Sequence, residues 1–322
     1  MKKIFRLMLA VAAIASVVSC AKETAIPAGE EVEVSFVANL AGAPGSRAIA
    51  DGTTVDEVAY AIYESGSTIP TSLKGTLVLE NKKATLNTRL VAGKIYDIAF
   101  FAYKKDDTNG GPLHYTIDWN EQTVTMNITA ETKANDETLD CFWHVAPDID
   151  VKKQDKYDFE LFRPLSQLNL GVTVQDVKNA KAAGFSVTAS QIVVDAYKTF
   201  NLFNGEVSNP IKKAVFIKNA SPVAVEAPET PEILKVEGDN TEYNYLATTY
   251  LFAKETSTVK VTLWANDGNE LNTLEYSFVP FQRNYRTNIL GELLTNPATF
   301  SIVVDEKFAN DYNLNKEGEL QN

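Results

Sequence analysis

The stretch Glu31-Val32-Glu33-Val34-Ser35-Phe36-Val37-Ala38-Asn39-Leu40 decides the fold class. Its even positions are all apolar and its odd positions mostly charged or polar, and successive side chains on a strand point to opposite faces. The pattern predicts one strand with a buried face and a wet face. Small and turn-forming residues follow at once, Ala41-Gly42-Ala43-Pro44-Gly45-Ser46-Arg47-Ala48, around a single basic residue. A loop of that composition is exposed, which makes Arg47 an accessible point for a trypsin-like protease. A cut between Arg47 and Ala48 would remove everything before it, the first strand included.

Upstream of the strand lies a leader. Lys2, Lys3 and Arg6 supply its basic part, and residues 7–18 an apolar run too short to span a bilayer permanently. It closes on Val17-Val18-Ser19-Cys20, which resembles the bacterial lipobox. Residues 1–19 therefore read as a lipoprotein signal peptide and Cys20 as the acylated residue. Two or more acyl chains, at ~0.8 kcal/mol per buried methylene, make a stable anchor. The residues after Cys20, Ala21-Lys22-Glu23-Thr24, carry only a weak form of the acidic run that sends some lipoproteins to the outer face.

The other cysteine, Cys141, is then left without a partner, so an exported chain of this kind holds no internal disulfide. Its setting, Leu139-Asp140-Cys141-Phe142-Trp143, predicts a buried, inert thiol. At 322 residues the chain exceeds one ordinary core, so two domains are expected. A composition of 45% hydrophobic and 22% charged residues is globular, and a net charge of −12 argues against a nucleic-acid partner.

Beyond the first strand, short runs rich in Val, Ile, Thr, Tyr and Phe recur between Gly, Asn, Asp and Pro. Strands are expected at 55–63, 75–80, 84–90, 94–103, 123–128, 157–162, 167–174, 191–200, 214–217, 243–252, 258–265 and 273–280. Turn chemistry predicts two hairpins. One joins 259–265 to 271–278 across Asp267-Gly268; the other joins 75–80 to 84–90 across Asn81-Lys82-Lys83. Residues 175–183 are the best short helix, and 219–232, with three prolines, a long surface loop. No repeat with a period of 20 to 50 residues is visible. Many short strands with frequent turns predict an all-β fold of antiparallel sandwiches. Arg163-Pro164 marks a boundary, since proline holds the preceding residue extended. The division is 20–47 (tether and removable first strand), 48–162 and 163–298 (two sandwiches), and 299–322 (last strand and tail).

Recognisable catalytic chemistry is missing from the sequence. His114 and His144 lack metal-ligand spacing, and there is no nucleophile elbow, P-loop or dinucleotide fingerprint. Asp106-Asp107-Thr108-Asn109-Gly110-Gly111 lacks the spaced acids of a calcium loop and reads as a solvated turn. Trp119, Trp143 and Trp264 read as core at strand spacing. No pair of carboxylates can be nominated as acid and base. The expectation is a non-enzyme with no cofactor and no metal.

Two passages carry a family resemblance. Phe162-Arg163-Pro164-Leu165-Ser166-Gln167-Leu168-Asn169-Leu170 resembles the arginine-containing strand that opens the second domain of Bacteroidales fimbrillin-like lipoproteins. Residues 279–295, running Val279-Pro280-Phe281-Gln282-Arg283-Asn284-Tyr285-Arg286 and on to Thr295, are similar to a late motif of the same group. With Cys20 and Arg47 the resemblance spans nearly the whole chain. It implies two tandem transthyretin-like sandwiches and assembly of a surface fimbrium by strand exchange. Subunits travel as outer-membrane lipoproteins, an arginine-specific protease trims the first strand, and a C-terminal strand from a neighbouring subunit fills the groove. On this sequence Cys20 is the lipid site, Arg47-Ala48 the cut, and Val32, Val34, Phe36 and Leu40 the removable strand. Phe300, Ile302 and Val304 alternate with the same period and are the donor residues, with Phe308 and Tyr312 beyond them, while the tail after Asp305 is largely polar (Asn310, Asp311, Asn313, Asn315, Lys316, Glu317). Three readings stay open beside it: a tip or anchor subunit, a permanently anchored surface lipoprotein that binds a glycan or protein, and a secreted glycosidase.

Overall fold

The alternating run forms strand β1 (Glu31–Leu40), as its period requires. The computed structural model describes residues 29–41, 52–129, 132–151, 156–220, 233–234, 236, 239–265 and 268–305. The strands that follow β1 in the first half are β2 (Glu57–Glu64), β3 (Lys74–Val78), β4 (Lys83–Val91), β5 (Ile95–Tyr103), β6 (Tyr115–Asp118), β7 (Thr123–Met126), β8 (Phe142–Asp150) and β9 (Lys156–Leu161). The second half holds β10 (Ser166–Thr173), helix α1 (Val174–Ala182), β11 (Val187–Asn201), β12 (Val207–Ala220), β13 (Ile233–Leu234), β14 (Tyr243–Leu251), β15 (Thr256–Ala265), β16 (Glu270–Pro280), β17 (Arg286–Gly291) and β18 (Phe300–Asp305). The fold is all-β, with two sandwiches in tandem, as expected.

In the first sandwich a sheet ordered β4-β1-β9 faces one ordered β3-β2-β5-β8. In the second, β13-β14-β10-β17-β18 faces β16-β15-β11, with β12 on the other edge of β11. The two topologies correspond strand for strand. β10 takes the place of β1, β11 and β12 those of β2 and β3, β14 that of β4, and β15, β16 and β17 those of β5, β8 and β9. In both copies the first strand pairs antiparallel with one neighbour and parallel with the other. The sheets are thus not wholly antiparallel, because β9 and β17 run the same way as the first strands, β1 and β10, beside which they lie. The repeat is a whole sandwich long, well beyond a 20-to-50-residue period.

Besides α1 and the short β13 on the outer edge of β14, the second copy differs from the first at two places. The second sandwich carries β18 outside β17, whereas among the described residues no strand lies outside β9. The hairpin β6–β7 comes from the first half of the chain, yet β7 pairs with the end of β11, Thr125 opposite Thr199 and Thr123 opposite Asn201. It occupies the stretch of that edge that β15, whose pairing with β11 stops at Val194, leaves free. Trp143 at the start of β8 binds the halves further, donating its indole N–H to the Leu202 carbonyl (2.7 Å).

The β15–β16 hairpin forms as predicted. The hairpin predicted from 75–80 and 84–90 does not. Its turn is present, with Asn81 and Lys82 both at positive φ (52° and 63°) and Glu80 and Lys83 exchanging backbone hydrogen bonds. Pairing then stops at that one bridge, because β3 joins β2 in one sheet and β4 joins β1 in the other. A turn fixes reversal of direction; which sheet each arm enters depends on partners elsewhere. The helix falls where expected, with Thr173 capping its first turn through Oγ1 and the Asp176 N–H (3.0 Å).

Candidate functional site: the first-strand slot and its surroundings

β1 sits in the middle of its sheet. It is paired with β4 from Glu31 opposite Val91 to Asn39 opposite Lys83, and with β9 from Ser35 opposite Lys156 to Leu40 opposite Leu161. Among the described residues nothing else joins β4 to β9 in that sheet. Val34, Phe36, Ala38 and Leu40 point into the first core, and Val32 packs partly buried against it. Phe36 stacks on Tyr157 (5.4 Å between centroids) and Phe159 (6.3 Å) of β9. The outer face is wet at its beginning, where Glu33 meets Arg89 across an exposed 3.2 Å ion pair; Val37 on that face is nonetheless buried. The slot that β1 fills is therefore an apolar trough lined by β4, β9 and the opposite sheet. Cys20, Arg47 and Ala48 lie outside the described residues.

β18 pairs antiparallel with β17 of its own chain, Phe300 opposite Gly291 and Val304 opposite Thr287. It is bonded along one edge alone among the described strands. Its hold is shallow: Phe300 is 46% exposed and rests edge-on against Tyr276 (4.8 Å), while Ile302 and Val304 are only partly buried. Phe308 and Tyr312 lie outside the described residues.

Arg163 is more deeply placed than a partly buried residue between Phe162 and Pro164 would be. It is 2% exposed; its Nε and Nη2 each donate to a carboxylate oxygen of Asp140 at 2.8 Å, and its guanidinium lies 4.2 Å above the Phe142 ring. Its backbone N–H donates to Asn284 Oδ1 (3.2 Å) in the second sandwich. The bidentate geometry and dry setting make this pair a fixed joint between the halves. Asp140 was legible in principle: an acid inside the apolar run Leu139–Trp143 needs a buried cation.

Cys141, beside that pair, is a free buried thiol, and burial pushes its pKa well up, away from a reactive thiolate. His144 is pulled down to about 4 by burial, its ring stacked on Phe159 (5.2 Å). His114, also lowered by burial, contacts the Thr138 hydroxyl (2.7 Å). Asp106 accepts from the Thr108 and Asn109 backbones and the Asn109 amide, a closed turn whose hydrogen bonds lower its pKa. Among the described residues no group of three or more His, Cys, Asp or Glu is placed to hold a metal.

Compared with known families, residues 24–321 match a family of unknown function (DUF6562), and the chain belongs to it. No curated protein matches the chain. Among solved structures it is similar to a candidate cell-adhesion protein from Bacteroides ovatus (TM-score 0.46, 13% identity, covering 88% of this chain and 100% of that one). It is also similar to a fimbrial assembly protein from Parabacteroides distasonis (TM-score 0.42, 13% identity, 85% and 95% covered) and to the fimbrial anchor protein Mfa2 from Porphyromonas gingivalis (TM-score 0.39, 12% identity, 85% and 96% covered). At these values function has to rest on the residues of this chain.

Proposed function

We propose that this member of the family is a non-enzymatic structural subunit of a surface filament. It is exported as an outer-membrane lipoprotein through Cys20 and assembles when cleavage after Arg47 releases β1 and a strand from a neighbouring copy enters its slot. The observation that carries this reading is the position of β1: among the described residues it is the one strand that joins β4 to β9, and its core face is a single apolar stripe. Loss of Val34, Phe36, Val37 and Leu40 would forfeit roughly 1.5–3 kcal/mol per side chain, of order 5–10 kcal/mol together. A folded domain holds about 5–15 kcal/mol in all, so the opened sandwich would be marginal and avid for a replacement.

Removal would also leave unpaired N–H and C=O groups along both β4 and β9. A replacement must run antiparallel to β4 and parallel to β9, with apolar residues at alternate positions facing the core. Phe300, Ile302 and Val304 have that period, and β18 is an edge strand of the second sandwich, paired with β17 alone among the described strands. The partners on this reading are neighbouring subunits, an arginine-specific protease and the membrane that holds the lipid.

The test is limited digestion of the full lipoprotein with an arginine-specific protease, followed by mass spectrometry and size-exclusion chromatography. The expected product is one stable fragment beginning at Ala48 that oligomerises, and removal of residues 299–322 abolishes the oligomers without preventing the cut. General degradation, or a clean fragment that stays monomeric at high concentration, would refute the reading.

A further inference from the structure

The first sandwich has two ends, and its topology fixes which of them the N-terminal segment reaches. β1 runs parallel to β9, with Leu40 opposite Leu161. Immediately after Leu161, Phe162 bridges Trp143 and the chain passes through Arg163 into β10, so β1 finishes at the joint with the second sandwich. Its first residue therefore lies at the far pole. There the Gly29 N–H donates to the Ala92 carbonyl (2.9 Å) and the Ala92 N–H to the Glu30 carbonyl (2.8 Å), tying the entering chain to the turn between β4 and β5. Residues 21–28 are all that separates Gly29 from Cys20. Fully extended, that connection spans about 30 Å, the length of a nine-residue strand such as β5.

This pole presents two exposed isoleucines, Ile69 (69%) and Ile95 (47%). Ile69 sits in the loop between β2 and β3, and Ile95 opens β5; the two segments meet where the Ser65 N–H donates to the Ile95 carbonyl (2.9 Å). The exposure of Ile69 is built in. The Ser67 hydroxyl accepts from the Ile69 N–H (3.1 Å) and donates to the Ile69 carbonyl (2.9 Å), which pins that backbone at the tip of the loop. The loop itself, Ser65-Gly66-Ser67-Thr68-Ile69-Pro70, carries no charge, and Lys94 on the adjoining turn is paired with Glu64. An isolated exposed apolar residue is ordinary. Two on abutting segments, at the pole where the chain from Cys20 enters, coincide with the surface that an acyl anchor brings within reach.

We infer that this pole rests on the lipid bilayer, with Ile69 and Ile95 entering its interfacial layer and the second sandwich pointing away from the membrane. The inference rests on acylation of Cys20, proposed above, and is independent of strand exchange. Acyl chains fix only the far end of the connection. Two apolar side chains at the interface add a second, weaker contact, and that contact sets the orientation of the folded part. Glu30 and Glu31 are exposed beside it, which favours a zwitterionic lipid surface over an anionic one.

The experiment reconstitutes the acylated full chain in phosphatidylcholine vesicles, with a fluorescent thiol label on Ile69→Cys, Ile95→Cys or Val78→Cys. Val78 is the control: it is 70% exposed, but it pairs with Glu57 at the end of the sandwich nearer the joint. Cys141 is buried and Cys20 would be blocked by its lipid, so the label goes to the new thiol. A water-soluble quencher should reach the labels at 69 and 95 about threefold or more less than the label at 78, and Ile95→Asp should reduce the protection at 69. Equal quenching at all three positions on vesicles that carry the protein overturns this inference alone. Protection at 69 that Ile95→Asp leaves unchanged also overturns it, since the connection by itself would then hold the pole near the surface. Labels open on vesicles but covered on native outer membranes overturn it in favour of a protein partner. A chain that does not float with the vesicles refutes acylation of Cys20, and this inference with it.

Discussion

β1 and β10 occupy the same place in two copies of one topology, and they are held there by different means. β10 is buried from Ser166 to Val172 on both faces. Its core face is Leu168, Leu170 and Val172, and its other face carries Gln167 and Asn169 in a hydrogen-bonded chain with Thr248 and Asn288. Its approach is pinned by the Arg163–Asp140 pair, and its exit by α1, where the buried Asp176 carboxylate accepts the Leu294 N–H (2.7 Å). β1 has one apolar stripe, exposed acids at its start and no comparable polar chain. An apolar stripe is satisfied by any strand with the right period and volume, so it specifies a slot without specifying an occupant. A buried polar network is satisfied by few sequences and costs heavily when half-made. The comparison teaches that a shared fold need not mean shared permanence.

Trimming the chain to begin at Ala48 is the largest way to sharpen that contrast. Calorimetry should resolve two transitions in place of one, the first sandwich weakened by of order 5–10 kcal/mol and the second little changed. A single cooperative melt of the trimmed chain would mean that the halves are not energetically distinct. Next comes Asp140→Ala, which strands the Arg163 charge and should cost about 3–5 kcal/mol in a denaturant titration. A loss under about 1 kcal/mol, the range of exposed pairs, would show that the joint is wet.

The pH dependence of the first sandwich gives a third effect. His144 is neutral when folded, with a pKa pulled down from 6.5 to about 4, so between those values the unfolded chain binds the extra proton. Its contribution is complete above pH 6.5 and is lost as pH falls towards 4, by about 3 kcal/mol at most. Melting temperature against pH for the intact protein and for His144→Phe should diverge across that window; parallel curves would remove His144 as the cause. The smallest effect expected is Thr173→Ala at the cap of α1, about 1 kcal/mol, confined to the second sandwich.

Much of the fold was legible because burial imposes a period. The alternation of β1 and the runs at 94–103 and 243–252 became strands within a residue or two. β8 and β17 were not read as strands: Pro147 interrupts the first, and the second is mixed, running Arg286-Thr287-Asn288-Ile289-Leu290-Gly291. Arg163 was found as a structural residue, but its depth was not, since its partner lies 23 residues earlier. Arg283 lies within residues 279–295, and nothing along the chain shows that its guanidinium sits over Trp143 and Phe200 and bonds Gly205, because these come together only through the packing of two sandwiches.

By itself the sequence determined the all-β class, the first strand and its two-faced character, and the helix, because these depend on neighbours along the chain. Tertiary structure alone decided that β3 and β4 part into different sheets, that β6–β7 completes the second sandwich, and that β10 repeats β1. Sheet membership is set by backbone hydrogen bonds between residues far apart in sequence, and a turn or a period constrains only the residues beside it.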